Sequence, residues 1–207
     1  MINIITIERE YGAGGGEIAQ LLSNRLGWKL WDQQLTEEIA RLAQCPKAVV
    51  ECREERNDPL YYRLLKSFLR GSFEGSINAH KLKMVDSECI FRITRRVVCE
   101  VAGAGNSVIV GRGSQHFLEN RPDVARVFLY APRQDKVRRI IARGHSPKEA
   151  DELADSVDRE RGDFIQKYFG VEWPTRWLYH LMLNTSIGEE TVVRTMLDFK
   201  RTLEAAH

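Results

Sequence analysis

A run of glycine and charge near the amino end, Glu8-Arg9-Glu10-Tyr11-Gly12-Ala13-Gly14-Gly15-Gly16-Glu17, has the residue types from which a phosphate-binding loop can be made. It follows the apolar run Ile2 to Ile7 and leads into a helical pattern, Ile18-Ala19-Gln20-Leu21-Leu22. In the order strand, glycine loop, helix, successive backbone N–H groups can turn inward on one anion. The helix N-terminus behind them adds roughly half a positive charge. The lysine-bearing form of such a loop, G-x-x-x-x-G-K-[ST], uses Lys for the β/γ-phosphates and a hydroxyl for Mg²⁺. Here the corresponding positions are Gly15 and Gly16, so the cradle stands without its usual cation.

Other charges fall where an anionic ligand would meet them. Arg112 follows the apolar run Ser107–Val110, at the ligand-facing edge of an open parallel sheet. Asp32 ends a short strand pattern, Trp28-Lys29-Leu30-Trp31. Lys136, Arg138, Arg139 and Arg143 make a basic helix beyond Pro132, and Asp158-Arg159-Glu160-Arg161-Gly162-Asp163 lies on the next one. Each arginine taken singly could be a solvated helix face paired with Asp151, Asp155 or Asp158. The cluster carries the information. Arg is suited to bidentate oxygen recognition.

The elements that must position these residues are legible as periodicity. Ile2–Ile7 reads as a central parallel strand, with Glu8 to Tyr11 left as a wide loop before Gly12. A helix follows to Leu26 with Gly27 as its C-cap, and another spans Thr36 to Ala43. Residues 46–105 are helical or irregular, too long for an ordinary crossover, and read as a helical insertion on the acceptor side. Strands at Ser107–Val110, Ala125–Tyr130 and Leu181–Asn184 and a helix from Glu189 complete the pattern. Ser146, Pro147 and Glu149 form a helix-start signature after the break at Gly144, which places a hinge there and a lid over about 144–170. The tryptophans Trp28, Trp31, Trp173 and Trp177 read as core or hinge packing.

The whole 207-residue chain fits one α/β domain. Net charge is +2 from 31 basic and 29 acidic residues, which argues against a long nucleic-acid groove or an anionic membrane as partner. Cys45, Cys52, Cys89 and Cys99 lack metal or redox spacing, and no apolar stretch approaches the ~20 residues of a membrane helix. A cytoplasmic protein is expected. Gly14-Gly15-Gly16-Glu17-Ile18-Ala19 also satisfies G-x-G-x-x-A with Asp32 downstream, so a dinucleotide fold stays formally open.

Taken together, Ile5-Thr6-Ile7 with Arg9-Glu10-Tyr11-Gly12-Ala13-Gly14-Gly15, then Trp31-Asp32, Val108-Ile109-Val110-Gly111-Arg112-Gly113, Ala131-Pro132, Asp158-Arg159-Glu160-Arg161 and Asn184-Thr185-Ser186 stand in a familiar order. The chain resembles the cytidylate kinase-like family of P-loop nucleoside monophosphate kinases, nearly end to end. The resemblance implies a three-layer α/β P-loop fold with a parallel sheet, a helical acceptor insertion and a basic lid. It implies ATP with Mg²⁺ as donor and a small-molecule nucleotide or related acceptor as partner. Gly12, Ala13, Gly14, Gly15, Gly16 and Glu17 would hold the donor; Asp32, Arg112 and Asp163 would meet the acceptor. Arg161 and Arg9 would be the catalytic cations, with Arg138, Arg139, Arg143 and Arg159 in the lid. The chain departs from that pattern at Gly15, Gly16, Glu38, Gly113 and Gln166. Two further classes compete: a catalytically silent nucleotide-binding or regulatory module, and an NAD-dependent redox protein.

Overall fold

The computed structural model describes residues 1–43 and 87–205. Its centre is β1 (Ile4–Arg9), buried along its whole length and hydrogen-bonded in parallel on both sides. The other strands are β2 (Lys29–Trp31), β3 (Ser107–Val110), β4 (Val124–Tyr130) and β5 (Leu181–Asn184), in the order β2-β3-β1-β4-β5. All are parallel.

Strand parity divides the core. Ile5 and Ile7 join Val108, Val110, Val127 and Leu129 on one face, covered by α1 (Gly15–Leu26) and α7 (Glu189–Ala205). Ile4, Ile109 and Val124 face the other side, covered by α2 (Gln33–Ala43) and α3 (Ser87–Ala104) with Phe164 and Ile165. In α1 the buried Ile18, Ala19 and Leu22 fall on one face at helical spacing, and Gly27 closes the helix at φ 64°. A short helix α4 (Ser114–Phe117) follows β3. Beyond β4 come α5 (Arg133–Ala142) and α6 (Pro147–Phe169), which meet at Gly144.

The expected start of α6 is present in full. Ser146 Oγ accepts from Glu149 N at 3.3 Å while Glu149 Oε2 accepts from Ser146 N at 2.9 Å, and Pro147 opens the helix. Ile140, Ala150, Ala154 and Val157 then pack α5 and α6 on each other and on Tyr11 of the glycine loop. This small third cluster brings the basic helices onto the glycine loop.

Three expectations are corrected. β1 does not stop at Ile7: pairing continues to Arg9 opposite Leu129, and Glu10 N donates to Leu129 O at 2.9 Å. The neighbouring strand β4 is long enough to keep bonding backbone groups whatever side chains they carry, so the loop is tighter than the apolar run implied. α2 begins at Gln33, earlier than Thr36, because Asp32 O already accepts from Thr36 N. Trp177 is 69 % exposed; it lies on a 3₁₀ turn, Arg176–Leu178, whose inward position goes to Leu178. Trp28, Trp31 and Trp173 do pack against the core.

Of the expected insertion at 46–105, residues 44–86 lie outside the described residues, and the remainder is α3 against α2. Among the described residues, no helix is long and apolar enough to cross a membrane, and Cys99 is a free thiol.

Leu22 is fully buried between α1, the sheet and α7. Leu22→Ala is expected to cost about 2–5 kcal/mol through lost burial and a residual cavity, read by urea unfolding. A loss below about 1 kcal/mol would show that this interface is not packed as described.

Candidate functional site

The loop between β1 and α1 turns on two left-handed glycines, Gly12 and Gly14, both at φ 78°. Gly12 must be glycine, since a Cβ would fall 2.9 Å from Lys136 O. Gly14 is the N-cap of α1 and makes no side-chain cap hydrogen bond, which leaves N–H groups of the first turn available to an anion. That is the geometry of a phosphate cradle.

Arg9 explains what stands where a lysine would. As an odd residue of β1 it shares the α1 face with Ile5 and Ile7, and its side chain runs across Gly15. A Cβ on Gly15 would sit 2.8 Å from Arg9 Cγ and 3.0 Å from Arg9 Cβ. At the far end, a Cβ on Gly111 would overlap Arg9 Nη1, so the guanidinium lies directly over that glycine. Laid on residues 9–16, the pattern G-x-x-x-x-G-K-[ST] places Arg9 at the first glycine and Gly15 at the lysine. Cation and glycine have exchanged ends of the loop.

Around Arg9 the carboxyl ends of the strands gather buried charge. β3 leaves through Gly111, Arg112 and Gly113, all left-handed at φ 65°, 61° and 65°. A non-glycine residue in that conformation is uncommon, and here it turns Arg112 inward, where Nε donates to Thr36 Oγ1 at 3.2 Å. Burial lowers the Arg112 guanidinium to about 10 against the opposing charge of Asp32. Arg161 of α6 reaches the same place: burial and the like charge of Arg9 lower it to about 10, and it donates to Arg9 O at 2.8 Å. A narrow cavity with room for about one water separates Glu8, Arg9, Arg112, Gly113, Arg161 and Phe164. Guanidinium groups held this close, out of water, repel one another, and the arrangement favours an anion between them.

Glu8 faces the opposite side of β1. It accepts from Gln115 Nε2 at 2.8 Å, and its Oε1 lies 3.5 Å from Arg9 Nη1. Tyr179 is buried close by, its phenol pushed well above the usual range by burial and by the Glu8 charge. His116 stacks on Phe169 at 4.3 Å, and burial lowers it to about 4.

The loop is clasped from above. Asp158 on α6 accepts from Tyr11 N at 2.7 Å and pairs with Lys136 of α5 at 3.0 Å, and Lys136 also reaches Glu10 at 3.2 Å. Arg139 donates to Gly12 O at 3.3 Å and Thr185 Oγ1 at 3.1 Å, and its guanidine lies 3.7 Å from the position of a Cβ on Gly14. Arg143 pairs with Glu17 at 2.7 Å.

Of the residues singled out in the sequence, Arg9, Asp32, Arg112 and Arg161 are buried together at the strand ends, with the Gly12–Glu17 loop beside them. Arg139 of α5 and Arg143 at its C-cap reach the loop and α1. Arg138 is solvent-exposed and pairs with Asp135, and Arg159 and Asp163 are exposed on α6, outside the buried cluster. Sequence reasoning passed over Glu8 and Gln115 and read Lys136 and Asp158 only as parts of a basic helix and a motif. Strand parity at Glu8 was a usable signal; the Asp158 bond to a loop N–H across the chain had none.

A five-stranded parallel sheet with a glycine loop running from its central strand into a helix N-terminus defines the P-loop kinase class of α/β fold. The chain belongs to the cytidylate kinase-like family, whose family model matches residues 4–187. The fold matches an uncharacterized protein from Eubacterium ventriosum with a TM-score of 0.69 at 18 % identity, over 97 % of this chain and 99 % of that one. A shikimate kinase from Acinetobacter baumannii, solved in complex with shikimate, matches with a TM-score of 0.54 at 15 % identity, over 98 % and 94 %. Another from Bacteroides thetaiotaomicron matches with a TM-score of 0.51 at 16 % identity, over 95 % and 96 %. No curated protein matches the sequence significantly.

His116 titrates with a folded value near 4, below the ~6.5 of an unfolded histidine. Its contribution to stability is therefore present above about pH 6.5 and lost as pH falls through about 4. The lowering to about 4 corresponds to at most about 3 kcal/mol. His116→Phe, which keeps the stack on Phe169, is expected to flatten that part of the stability-versus-pH curve in chemical denaturation from pH 7 to 4. An unchanged slope would place the acid sensitivity elsewhere.

Proposed function

We propose that the chain transfers the terminal phosphoryl group of ATP, supplied with Mg²⁺, to a nucleoside monophosphate or a related small acceptor. The observation that carries this reading is the course of Arg9 across Gly15, which sets a buried cation beside the phosphate cradle in place of the absent lysine. Backbone N–H groups of Gly12–Glu17 would hold the donor phosphates. Arg9 would lie along the transferring oxygens, and Arg161 would neutralise charge that develops on them. Arg112, on the β2–β3 side, would orient the acceptor. Exclusion of water by the clasped α5 and α6 strengthens each of these electrostatic contacts. Gly16 offers a metal no hydroxyl, so Mg²⁺ would be held chiefly by the phosphate oxygens, where it would neutralise their charge.

The same proposal takes residues 46–105 as the acceptor-side insertion, 144–170 as the lid, and the whole chain as one domain. It includes Asp163 on the acceptor side, Arg138, Arg139, Arg143 and Arg159 as lid cations, and a cytoplasmic setting. A second reading, a silent nucleotide-binding module, is favoured by Gly15 and Gly16 alone.

Single-turnover transfer of a labelled γ-phosphate tests the proposal. Arg9→Ala should slow transfer 10²–10³-fold, about 3 kcal/mol, with ATP affinity little changed, because preorganised charge acts where charge develops. Gly15→Lys alone should impair folding or ATP binding, its Cβ colliding with the Arg9 stem. Arg9→Gly combined with Gly15→Lys should recover part of the rate. Transfer indifferent to the loss of Arg9 would defeat this mechanism, and ATP binding without transfer by the parent would establish the silent module.

A further inference from the structure

Asp32 follows β2 directly and stands at the head of α2, its carbonyl accepting from Thr36 N at 3.4 Å and Thr36 Oγ1 at 3.3 Å. An aspartate in that position ordinarily turns its carboxylate onto the open N–H groups of the first helical turn. Here it does not. Both Oδ1 and Oδ2 are buried without a hydrogen-bond partner among the described residues, in a residue 3 % exposed. Arg112 and Arg161 are close enough for their charges to act on it. Yet Arg112 donates to Thr36, and Arg161 to Arg9 O and Asp158.

A buried carboxylate with unused lone pairs is costly in any fold, and such a group at a ligand-facing sheet edge calls for a ligand that brings hydrogen-bond donors. A fully ionised phosphate brings none and carries charge of the same sign. A hydroxyl brings one. In phosphoryl transfer a hydroxyl must also lose its proton as the new bond forms, which a positioned carboxylate can accept.

Resting on the phosphotransfer reading above, we propose that the acceptor presents an alcohol hydroxyl to Asp32 and that phosphoryl transfer goes to this oxygen, not to an acceptor phosphate. In the step, a bond forms from the hydroxyl oxygen to the γ-phosphorus and the bond from that phosphorus to the β–γ bridging oxygen breaks. The hydroxyl proton passes to a carboxylate oxygen of Asp32 and on to solvent, and ADP departs. Atoms and charge balance with ATP as the only co-reactant.

Parent and Asp32→Asn proteins are titrated with ATP and with CMP, melted without ligand, and offered γ-labelled ATP with CMP or with a panel of nucleosides, sugars and hydroxy acids. Removing one like charge is expected to tighten CMP binding about tenfold. The unliganded variant should melt no lower than the parent. Label should appear as a phosphate ester on a hydroxyl acceptor, with the rate falling at least about 100-fold in Asp32→Asn. CDP formation that survives Asp32→Asn, weaker CMP binding by the variant, or a melting point several degrees lower would each overturn the assignment of Asp32. A parent protein that binds ATP yet makes CDP sinks only this inference. A parent that binds no ATP sinks the phosphotransfer reading itself.

Discussion

Burial of the Arg9 guanidinium at the end of the central strand constrains everything around it. A charged side chain there is out of water and has to be met by opposite charge and by space to lie in. Gly15 and Gly111 supply the space, because a Cβ at either would overlap the Arg9 side chain where it lies. Glu8, one residue back on the same strand, supplies part of the charge. The loop is therefore rich in glycine for two separate reasons: Gly12 and Gly14 because the backbone turns left-handed, and Gly15 because an arginine crosses it.

The second constraint is mechanical. Asp158 holds the N–H of Tyr11, Lys136 bridges Asp158 and Glu10, and Arg161 holds the carbonyl of Arg9. Through these bonds α5 and α6 are keyed to the same few backbone groups that shape the glycine loop, so displacement of these helices would be felt there. Preorganisation of this kind is what a site needs if cations are to act on developing charge without reorganising. Resemblance in fold to shikimate kinases, at identities near 15 %, speaks to the sheet and its helices. Chemistry resides in the side chains set on them.

Much of the scaffold was legible because its periodicities are strong. Ser107–Val110, Leu181–Asn184, the Gly27 cap, the Ser146–Glu149 box and the helix from Glu189 all stand where apolar runs and capping chemistry put them. The ends of β1 and α2 were misread for a common reason. Local patterns report side chains, whereas strand and helix limits are set by which backbone groups find partners, as Arg9 does opposite Leu129.

The sequence by itself determined a glycine cradle between a strand and a helix, the run of parallel strands, and a cluster of arginines toward the ligand edge. It could not say which arginine would meet the loop, since Arg9, Arg112 and Arg161 are far apart along the chain and each has a plausible solvated role. Tertiary structure decided that by parity and packing: β1 turns Arg9 onto Gly15, three left-handed residues turn Arg112 inward, and α6 lays Arg161 on Arg9. It also left the Asp32 carboxylate without a hydrogen-bond partner among the described residues, at the head of its helix. Spacing along a chain can place a residue on a face, but only the assembled neighbours settle which of its hydrogen bonds remain to be made.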